Sequence, residues 1–507
     1  MRSACLLAVL VTVLGAPAAA SGQEPMSQQA AQKLAQGTFR EFLELLALPN
    51  DAVNALDIQK NVEFLERIFQ KRGFTTRRIE NGGKPMLYAE WPRKAPGART
   101  VLFYMHLDGQ PVVDREWSQP SPWKPVVKKR NGAGWDVVAS DALFGAALDP
   151  ELRIFARSAS DDKAPIMMFL AAFDGLKDGG ADPAINVKVL LDSEEEKGSP
   201  SMRAAAEAHR ELLACDALVI QDGPRHQSER PTIVFGNRGA AHVSLVVYGP
   251  KQPLHSGHFG NYVPNPAMRL ARLIATMKDD QGRVTVRGYY DRVKLTAAEK
   301  KVLAETGDDE PAIRRRTGIQ VAERVGGSLQ EALQYPSLNV RGMSSASVGD
   351  KAANIIPHQA TADFDLRTTP ETPPEYLFGL LQKHVEAQGY HLVKGPPTDE
   401  ERASFDKLAT LTLGGGSRAV RTPLDAPIGK WAYAALQQGT PGAKPVRIRM
   451  MGGSVPTDSL VEVLGAPFVI IPLVNGDNNQ HTFDENVRIG HYLDGIRAIT
   501  AMLRSPY

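Results

Sequence analysis

Apolar residues recur along the chain at two spacings, which predict different elements of secondary structure. Residues 27–47 and 58–72 carry apolar side chains at helical intervals and predict two amphipathic helices, the second ending at Gly73. Residues 164–176 predict a strongly apolar helix and residues 486–503 a closing helix. Short apolar runs predict buried strands at 86–91, 100–105, 187–192, 216–222 and 467–474. Because strands and helices alternate, we predict an α/β fold whose sheet is covered by helices on both faces.

The middle of the chain follows a different pattern. Residues 240–249 alternate between apolar and polar side chains, as expected of a half-exposed strand. Further strands are predicted at 337–343 and 360–367, helices at 265–278 and 373–388, and an insertion near 284–335. The order strand–helix–strand–strand–helix predicts a two-layer α/β domain inserted into the first. The predicted boundaries are 21–238 and 421–507 for the two parts of the first domain and 239–420 for the inserted domain.

The first twenty residues have the layout of a secretory signal. A cationic start at Met1–Arg2 precedes an apolar run from Ala4 to Leu14, and small residues follow as far as Ala20. We predict a signal peptide over residues 1–20, and the alternative is a buried N-terminal helix. Cleavage would leave an exported protein, periplasmic or secreted, without a membrane anchor, because no later run reaches the roughly 20 apolar residues of a membrane helix.

Composition narrows the function classes. The 507 residues include 59 Lys and Arg against 57 Asp and Glu, a formal net charge of +2. Nucleic-acid binders usually show a basic excess or stripe, so we expect no nucleic-acid partner. The two cysteines are Cys5 and Cys215, and Cys5 would leave with the signal. The mature chain would therefore contain no intramolecular disulfide.

Metal-type ligands stand at or beside the ends of several predicted strands. His106 and Asp108 lie two residues apart, so that Asp108 could orient the imidazole of His106 from behind. Asp161 and Asp162 precede an apolar helix, where they could cap the helix or bind metal. Four carboxylates within residues 192–196 would repel one another, as in a solvated acidic turn or around a cation. Around a cation, one of Glu195 and Glu196 could bind the metal while the other stays free as a general base.

Two further spots complete the set. Asp222 ends a predicted strand and His481 lies in a late loop, and each alone would usually be structural. Taken together, His, Asp, Glu, Asp and His with a spare Glu suit zinc, or else manganese or cobalt. Two such ions about 3.5–4 Å apart would share a water molecule and lower its pKa toward neutrality.

These motifs resemble those of the cocatalytic zinc peptidases that include carboxypeptidase G, carnosinase-type dipeptidases, aminoacylase and acetylornithine deacetylase. The matching segments are HLDG, SASDDKAP, EEEKGS, the strand end at Asp222 and QHTFDEN, in the same order. The resemblance implies five metal ligands, namely His106 and Asp222 for one ion, Glu196 and His481 for the other, and Asp161 between both. It also implies a cis peptide bond between Asp161 and Asp162, Asp108 as the support of His106, and Glu195 as the general base.

The resemblance extends to the inserted domain, which is similar to the ferredoxin-like lid and dimerisation domain of that family. It implies a homodimer in which His255 reaches the partner's active site and stabilises the oxyanion, with His258 as the alternative. It also implies substrate contacts by four residues: Arg367, which would hold a carboxylate, and Asn354, Gly453 and Ser454.

The sequence departs from the family pattern at three places. ARSAS precedes Asp161 where relatives often have a glycine-rich lead, and Asp484–Glu485 stands where many show Asn–Glu. Residues 110–150 are rich in Pro, Gly and Trp and are expected to form a long surface loop. Residues 129–151 are expected to be an inserted loop that could alter the entrance to the site.

Three functions fit these observations. The first is an exported dinuclear metal-dependent hydrolase, a dipeptidase or carboxypeptidase acting on small peptides with a free C-terminus. The second is a deacylase of N-acyl amino acids, which would share all the chemistry at the metals. The third is a non-catalytic periplasmic binding protein, which would be expected to have lost ligands or Glu195.

Overall fold

The structure is a computed structural model that describes residues 24–94, 96–453 and 458–507. The predicted signal peptide and Ser454 lie outside these described residues. Within them, no helix is both long and apolar enough to cross a membrane.

The first part of the chain forms most of the larger domain. Its helices are α1 (Gln28–Leu46), α2 (Ala55–Lys71), α3 (Lys163–Asp178), α4 (Met202–Ala208) and α5 (Arg210–Leu213). Its strands are β1 (Thr75–Ile79), β2 (Met86–Glu90), β3 (Thr100–His106), β4 (Val126–Asn131), β5 (Gly134–Val138), β6 (Arg153–Phe155), β7 (Asn186–Asp192), β8 (Ala217–Ile220), β9 (Thr232–Val234) and β10 (Gly236–Asn237).

The inserted part follows from β11 (Gly239–Tyr248). Its other strands are β12 (Leu254–His255), β13 (Ser337–Ser344), β14 (Ile355–Ile356), β15 (Gln359–Thr368), β16 (His391–Leu392) and β17 (Leu408–Ser417). Its helices are α6 (Ser256–Phe259), α7 (Pro266–Ala275), α8 (Ala297–Glu305), α9 (Glu310–Thr317), α10 (Leu329–Ala332), α11 (Pro374–Ala387) and α12 (Asp399–Ser404).

The C-terminal part returns to the larger domain. It contains β18 (Val420–Arg421), α13 (Pro427–Gly439), β19 (Val446–Ile448), α14 (Asp458–Leu464), β20 (Phe468–Ile470), β21 (Asn486–Arg488) and α15 (Ile489–Arg504).

An eight-stranded mixed sheet forms the centre of the larger domain, in the order β1-β2-β7-β3-β8-β20-β9-β19. Strands β7, β3, β8 and β20 are parallel neighbours. Alternate residues of β3 enter different cores: Phe103 packs with the helices α1, α3 and α15, whereas Tyr104 packs with α4 and α14. The predicted α/β fold with helices on both faces is therefore confirmed.

The inserted part has the strand order β13-β15-β11-β17-β16. Strand β11 pairs antiparallel with both β15 and β17. One face of this sheet, with Val243 on β11 and Phe364 on β15, packs against α7 and α11, whose Leu270 and Leu377 are buried in the same core. The order β11-α7-β13-β15-α11-β17 along the chain gives the predicted two-layer, ferredoxin-like arrangement.

The expected loop over residues 110–150 is partly wrong. Strands β4 and β5 form a hairpin that joins β6 and β21 in a four-stranded sheet. The two-residue loop is Gly132–Ala133, and Gly132, at its first position, has a φ of 55° that favours glycine. Residues 126–138 therefore form regular structure where a loop was expected.

Candidate metal centre and active site

The parallel strands of the larger domain deliver their polar ends to one edge of the sheet. His106 is the last residue of β3 and lies opposite Asp192, the last residue of β7. Asp222 follows β8 by two residues, on the other side of β3. Carboxyl ends of neighbouring parallel strands meet at one edge, so the fold brings these side chains together.

Two groups of side chains at this edge could each hold a metal ion. The first contains His106, Asp161 and Asp222, all buried, and the second contains Asp161, Glu196 and His481. The ligand atoms of each group lie within 4.8 Å of one another. All five ligands predicted from the sequence are thus in one place, with Asp161 common to both groups.

Asp161 turns one oxygen toward each histidine. Its Oδ1 lies 2.8 Å from His106 Nε2, and its Oδ2 lies 3.1 Å from His481 Nε2. His481 Nε2 is also 3.3 Å from Glu196 Oε2. Two adjacent sites that share a carboxylate are the arrangement expected of a bridged pair of cations.

The negative charges of the buried carboxylates at the centre would be balanced by bound cations. Burial, together with the neighbouring Asp161, raises the pKa of Glu196 to about 7 and that of Asp222 to about 6. Buried carboxylates this close together repel one another unless positive charge is added. Imidazole and carboxylate donors suit zinc, manganese or cobalt, so the residues present fit the predicted metal.

Asp161 lies in a loop that is held by Glu485. This buried carboxylate accepts hydrogen bonds from the backbone N–H groups of Ser158 (2.8 Å), Ser160 (2.9 Å) and Asp161 (2.9 Å), and it pairs with Arg157 at 2.7 Å. The Asp161–Asp162 peptide bond is cis, as the resemblance implied. Sequence reasoning missed the role of Glu485, because nothing in QHTFDEN separates it from Asp484.

Asp162 does not cap α3 with its side chain. Its Oδ2 accepts a hydrogen bond of 3.1 Å from the backbone N–H of His106 instead. Helix capping, the alternative function for this pair of aspartates, is therefore wrong for Asp162.

Asp108 is fully buried and connects the two halves of the centre. Its Oδ1 lies 3.3 Å from His106 Nδ1. Its two oxygens also accept hydrogen bonds of 3.1 Å from the backbone N–H groups of Glu195 and Glu196. Asp108 thus fixes His106 and the short 3-10 turn Glu195–Lys197 at the same time.

Glu195 is a carboxylate at the centre that belongs to neither ligand group. Among the described residues, its side chain receives no hydrogen bond, whereas Glu196 accepts one of 2.6 Å from Gln110. Burial raises the pKa of Glu195 well above its usual range; the charge of His106 opposes this and the charge of Asp222 adds to it. A carboxylate with these properties beside a metal centre is suited to accept and return a proton.

The region 110–150 contributes contacts that the sequence did not reveal. Gln110 reaches Glu196, and the backbone N–H of Ser118 donates to Asp484 Oδ1 at 3.0 Å, three residues after His481. The Ser118 hydroxyl contacts the same carboxylate. These amide and hydroxyl groups carry no motif signal, so only the tertiary structure reveals them.

The predicted substrate residues make no direct polar contact with the metal ligands among the described residues. His255 and Asn354 are neighbours, because β12 pairs with β14 and Ser256 N–H donates to the Asn354 carbonyl at 2.9 Å. The rings of His255 and His258 are 4.7 Å apart. Arg367 lies on β15, with its Nε 3.3 Å from Asp365. No hydrogen bond or ion pair between described residues joins His255 or Arg367 to the five ligands, and Gly453 is exposed.

Comparisons with known proteins agree with this geometry. The profile of peptidase family M20/M25/M40 matches residues 102–505. The chain is 27% identical over 411 residues to the Cys-Gly metallodipeptidase dug1 of Schizosaccharomyces pombe, covering 79% of each protein. It is 25% identical over 416 residues to the human Beta-Ala-His dipeptidase, covering 80% of this chain and 74% of that protein.

Solved structures show the same fold. The M20 family metallo-carboxypeptidase Sso-CP2 from Sulfolobus solfataricus superposes with a TM-score of 0.70 and 27% identity, covering 92% of this chain and 98% of the other. Human carnosine dipeptidase 1 superposes with a TM-score of 0.62 and 20% identity, covering 94% and 98%.

Proposed function

Since the chain belongs to peptidase family M20/M25/M40 and is a metallopeptidase, we propose that it is a dinuclear zinc dipeptidase or carboxypeptidase acting on small peptides with a free C-terminus. The observation that carries this proposal is the pair of ligand groups that share Asp161 and leave Glu195 free. The relatives reported above are dipeptidases and a carboxypeptidase, which supports a peptide substrate over an N-acyl amino acid.

The proposed reaction is hydrolysis of one amide bond. His106, Asp161 and Asp222 would hold one ion, and Asp161, Glu196 and His481 the other; when bound, the ions would supply Lewis acidity to the carbonyl and to the attacking water. Glu195 would take a proton from that water as its oxygen bonds to the carbonyl carbon. It would then deliver a proton to the nitrogen as the C–N bond breaks, releasing an amine and a carboxylate.

The inserted domain, together with the segment at Gly453 and Ser454 of the larger domain, would bind and orient the substrate. Arg367 would pair with the substrate carboxylate, and Asn354 and the segment at Gly453 and Ser454 would contact its backbone. His255 of the partner subunit would donate a hydrogen bond to the oxyanion, with His258 as the alternative donor. This part of the proposal includes a homodimer and rests on the resemblance of the inserted domain to the family's lid.

Export is also proposed, and its support is the sequence pattern of residues 1–20 alone. N-terminal sequencing of the protein from its native host should find the chain beginning near Ser21. A mature protein that retains Met1 would contradict it.

The test of the mechanism is Glu195→Gln. This variant should keep both metal ions and lose turnover of dipeptides by roughly 10²–10⁴-fold, because the amide cannot accept the proton. Metal content by mass spectrometry and kcat are the two measurements. Glu211→Gln, an exposed position on α5, is the matched control and should behave as the parent protein. Normal peptide hydrolysis by Glu195→Gln would contradict the mechanism.

Substrate class is tested separately. Dipeptides, tripeptides and N-acyl amino acids would be offered to zinc-, manganese- and cobalt-loaded protein and the products read by mass spectrometry. We expect cleavage of dipeptides and tripeptides with the zinc form. Preferential release of acyl groups would support the deacylase instead.

A further inference from the structure

Buried arginines in this protein are almost always paired with carboxylates. Five arginine side chains of the described residues are buried: Arg72, Arg157, Arg225, Arg238 and Arg449. Four of them form ion pairs: Arg72 with Asp174 at 2.8 Å, Arg157 with Glu485 at 2.7 Å, Arg225 with Asp494 at 3.1 Å and Arg449 with Glu299 at 2.7 Å. This agrees with the general rule that a buried charge needs a compensating partner.

Arg238 is the exception. It is 6% exposed and lies just before β11, yet none of the described carboxylates is within ion-pair distance of it. Its Nη2 donates to the Tyr335 carbonyl at 2.9 Å, and its buried Nε has no hydrogen-bond partner. A guanidinium has five N–H donors, so most of the hydrogen-bonding capacity of Arg238 is unused, and no described carboxylate pairs directly with its charge.

A second cation increases this excess of positive charge. Arg367 is close enough that its charge, in addition to burial, lowers the pKa of Arg238 to about 10. The single ion pair of Arg367 is a 3.3 Å contact with Asp365. Two arginines near one carboxylate leave a net positive charge at this end of the inserted sheet.

A cavity of about 140 Å³ adjoins Arg238. Tyr290, Leu333, Pro336 and Ser337 are among its other lining residues. Lys278 and Glu323, which also line it, neutralise each other at 2.7 Å. The Ser337 hydroxyl has no partner among the described groups and is a second available donor. The unbalanced charge of this cavity is therefore that of Arg238.

We propose that this cavity is a binding site for a small carboxylate anion, held by the guanidinium of Arg238 and the hydroxyl of Ser337. A planar carboxylate suits a guanidinium because two parallel N–H···O bonds can form. The cavity is smaller than the roughly 300–1,000 Å³ of typical ligand pockets, so acetate, with four heavy atoms, is a suitable model ligand. The site is separate from the metal ligands and does not depend on the proposed peptidase reaction.

The test compares two carboxylates of different size. The metal-loaded protein would be heated in acetate or in gluconate at equal ionic strength and pH. Acetate is much smaller than gluconate and should enter a cavity of this size far more readily, so acetate should raise the midpoint of thermal unfolding by about 1–2 °C at ten times its dissociation constant. Stability is the readout, so the result is independent of catalysis.

Variants assign the effect to Arg238. Arg238→Gln should abolish the difference between acetate and gluconate, whereas Arg315→Gln, an exposed arginine on α9, should keep it. An effect of acetate on the metal centre would persist in Arg238→Gln and would overturn the proposal. If Arg238→Gln does not fold, Arg238→Lys keeps the charge without the two-pronged geometry and should show a smaller acetate shift. Equal midpoints in acetate and gluconate for the parent protein would also overturn it.

Discussion

At the scale of single residues, Asp108 connects three residues of the active site although it belongs to neither ligand group. It faces His106 and accepts the backbone N–H groups of Glu195 and Glu196. An aspartate in this position sets the direction of one imidazole and the placement of both glutamates. A change here should therefore affect metal binding and turnover together.

We predict that Asp108→Asn weakens metal binding and lowers kcat, each by about 10–100-fold, because the amide NH₂ would face N–H donors in place of an acceptor oxygen. Zinc content after dialysis and kcat on a dipeptide are the measurements. Asp114→Asn, at an exposed position, is the control and should change neither quantity. An Asp108→Asn protein with full zinc and full turnover would show that the contact is dispensable.

His491 on α15 should make the protein sensitive to acid. Burial, and then the charges of Arg225 and Arg488, lower the pKa of His491 to about 2. The unfolded chain binds a proton at this residue below about pH 6.5, and the folded protein does not. The free energy of unfolding therefore falls as pH decreases below 6.5.

Replacing His491 by Gln should reduce that slope by up to about 1.4 kcal/mol per pH unit between pH 6 and pH 4. Glutamine keeps a donor for Glu229, whose Oε2 lies 3.4 Å from His491 Nε2. Urea denaturation at several pH values measures the slope, with His358→Gln as the exposed control. Parallel stability curves for His491→Gln and the parent would contradict the prediction.

At the scale of elements, α8 shows that the insertion near 284–335 makes ion pairs with the larger domain. Glu299 at its start pairs with Arg449 at 2.7 Å, and Glu305 at its end lies 3.2 Å from Arg447. Shortly after α8, Asp308 contacts His226 at 3.0 Å. The insertion therefore connects the inserted domain to the larger one, beside β19.

We predict that Glu299→Ala destabilises the protein by about 2–4 kcal/mol, because it leaves the buried guanidinium of Arg449 without its carboxylate. The double variant Glu299→Ala/Arg449→Met should recover most of the loss, since it removes the unpaired charge as well. Urea denaturation gives the free energies of unfolding. Lys300→Ala, which removes an exposed lysine of α8 and its ion pair with Glu331 of α10, should cause no measurable change. A Glu299→Ala variant as stable as Lys300→Ala would contradict the prediction.

At the scale of the whole molecule, the metal centre lies in the larger domain, whereas His255, Asn354 and Arg367 lie in the inserted one. In the described chain, His255 has no hydrogen bond or ion pair to the metal ligands. The proposed homodimer would supply His255 from the second subunit, so each active site would need both chains.

Mixing two inactive variants tests this arrangement. His255→Ala and Glu195→Gln should each be inactive, and after subunit exchange their mixture should regain about a quarter of the parent activity, because half of the dimers are hybrids with one intact site. Exchange would be verified with mass-tagged subunits. Absence of rescue in a mixture that has exchanged would contradict the action of His255 across the dimer.

The sequence determined the class of the fold and predicted the candidate ligands of a metal centre. Apolar spacing is a local property, so it predicted the buried strands around His106 and the alternating strand β11. Histidines and carboxylates at strand ends are also visible along the chain, and their order resembles that of a known family. That resemblance is why His106, Asp161, Glu196, Asp222 and His481 could be named as candidate ligands from the sequence, and the parallel strands bring His106 and Asp222 to one edge of the sheet.

Only the tertiary structure decided which ordinary residues support that centre. Glu485 holds the Asp161 loop and Gln110 holds Glu196. Away from the centre, Arg238 lacks the carboxylate partner that the other buried arginines of the described residues have. The contacts of Glu485 and Gln110 join segments that are far apart in sequence. Glutamate, glutamine and arginine are also common on any protein surface. Burial and the identity of a neighbour are properties of the folded chain, and no local pattern of residues contains them.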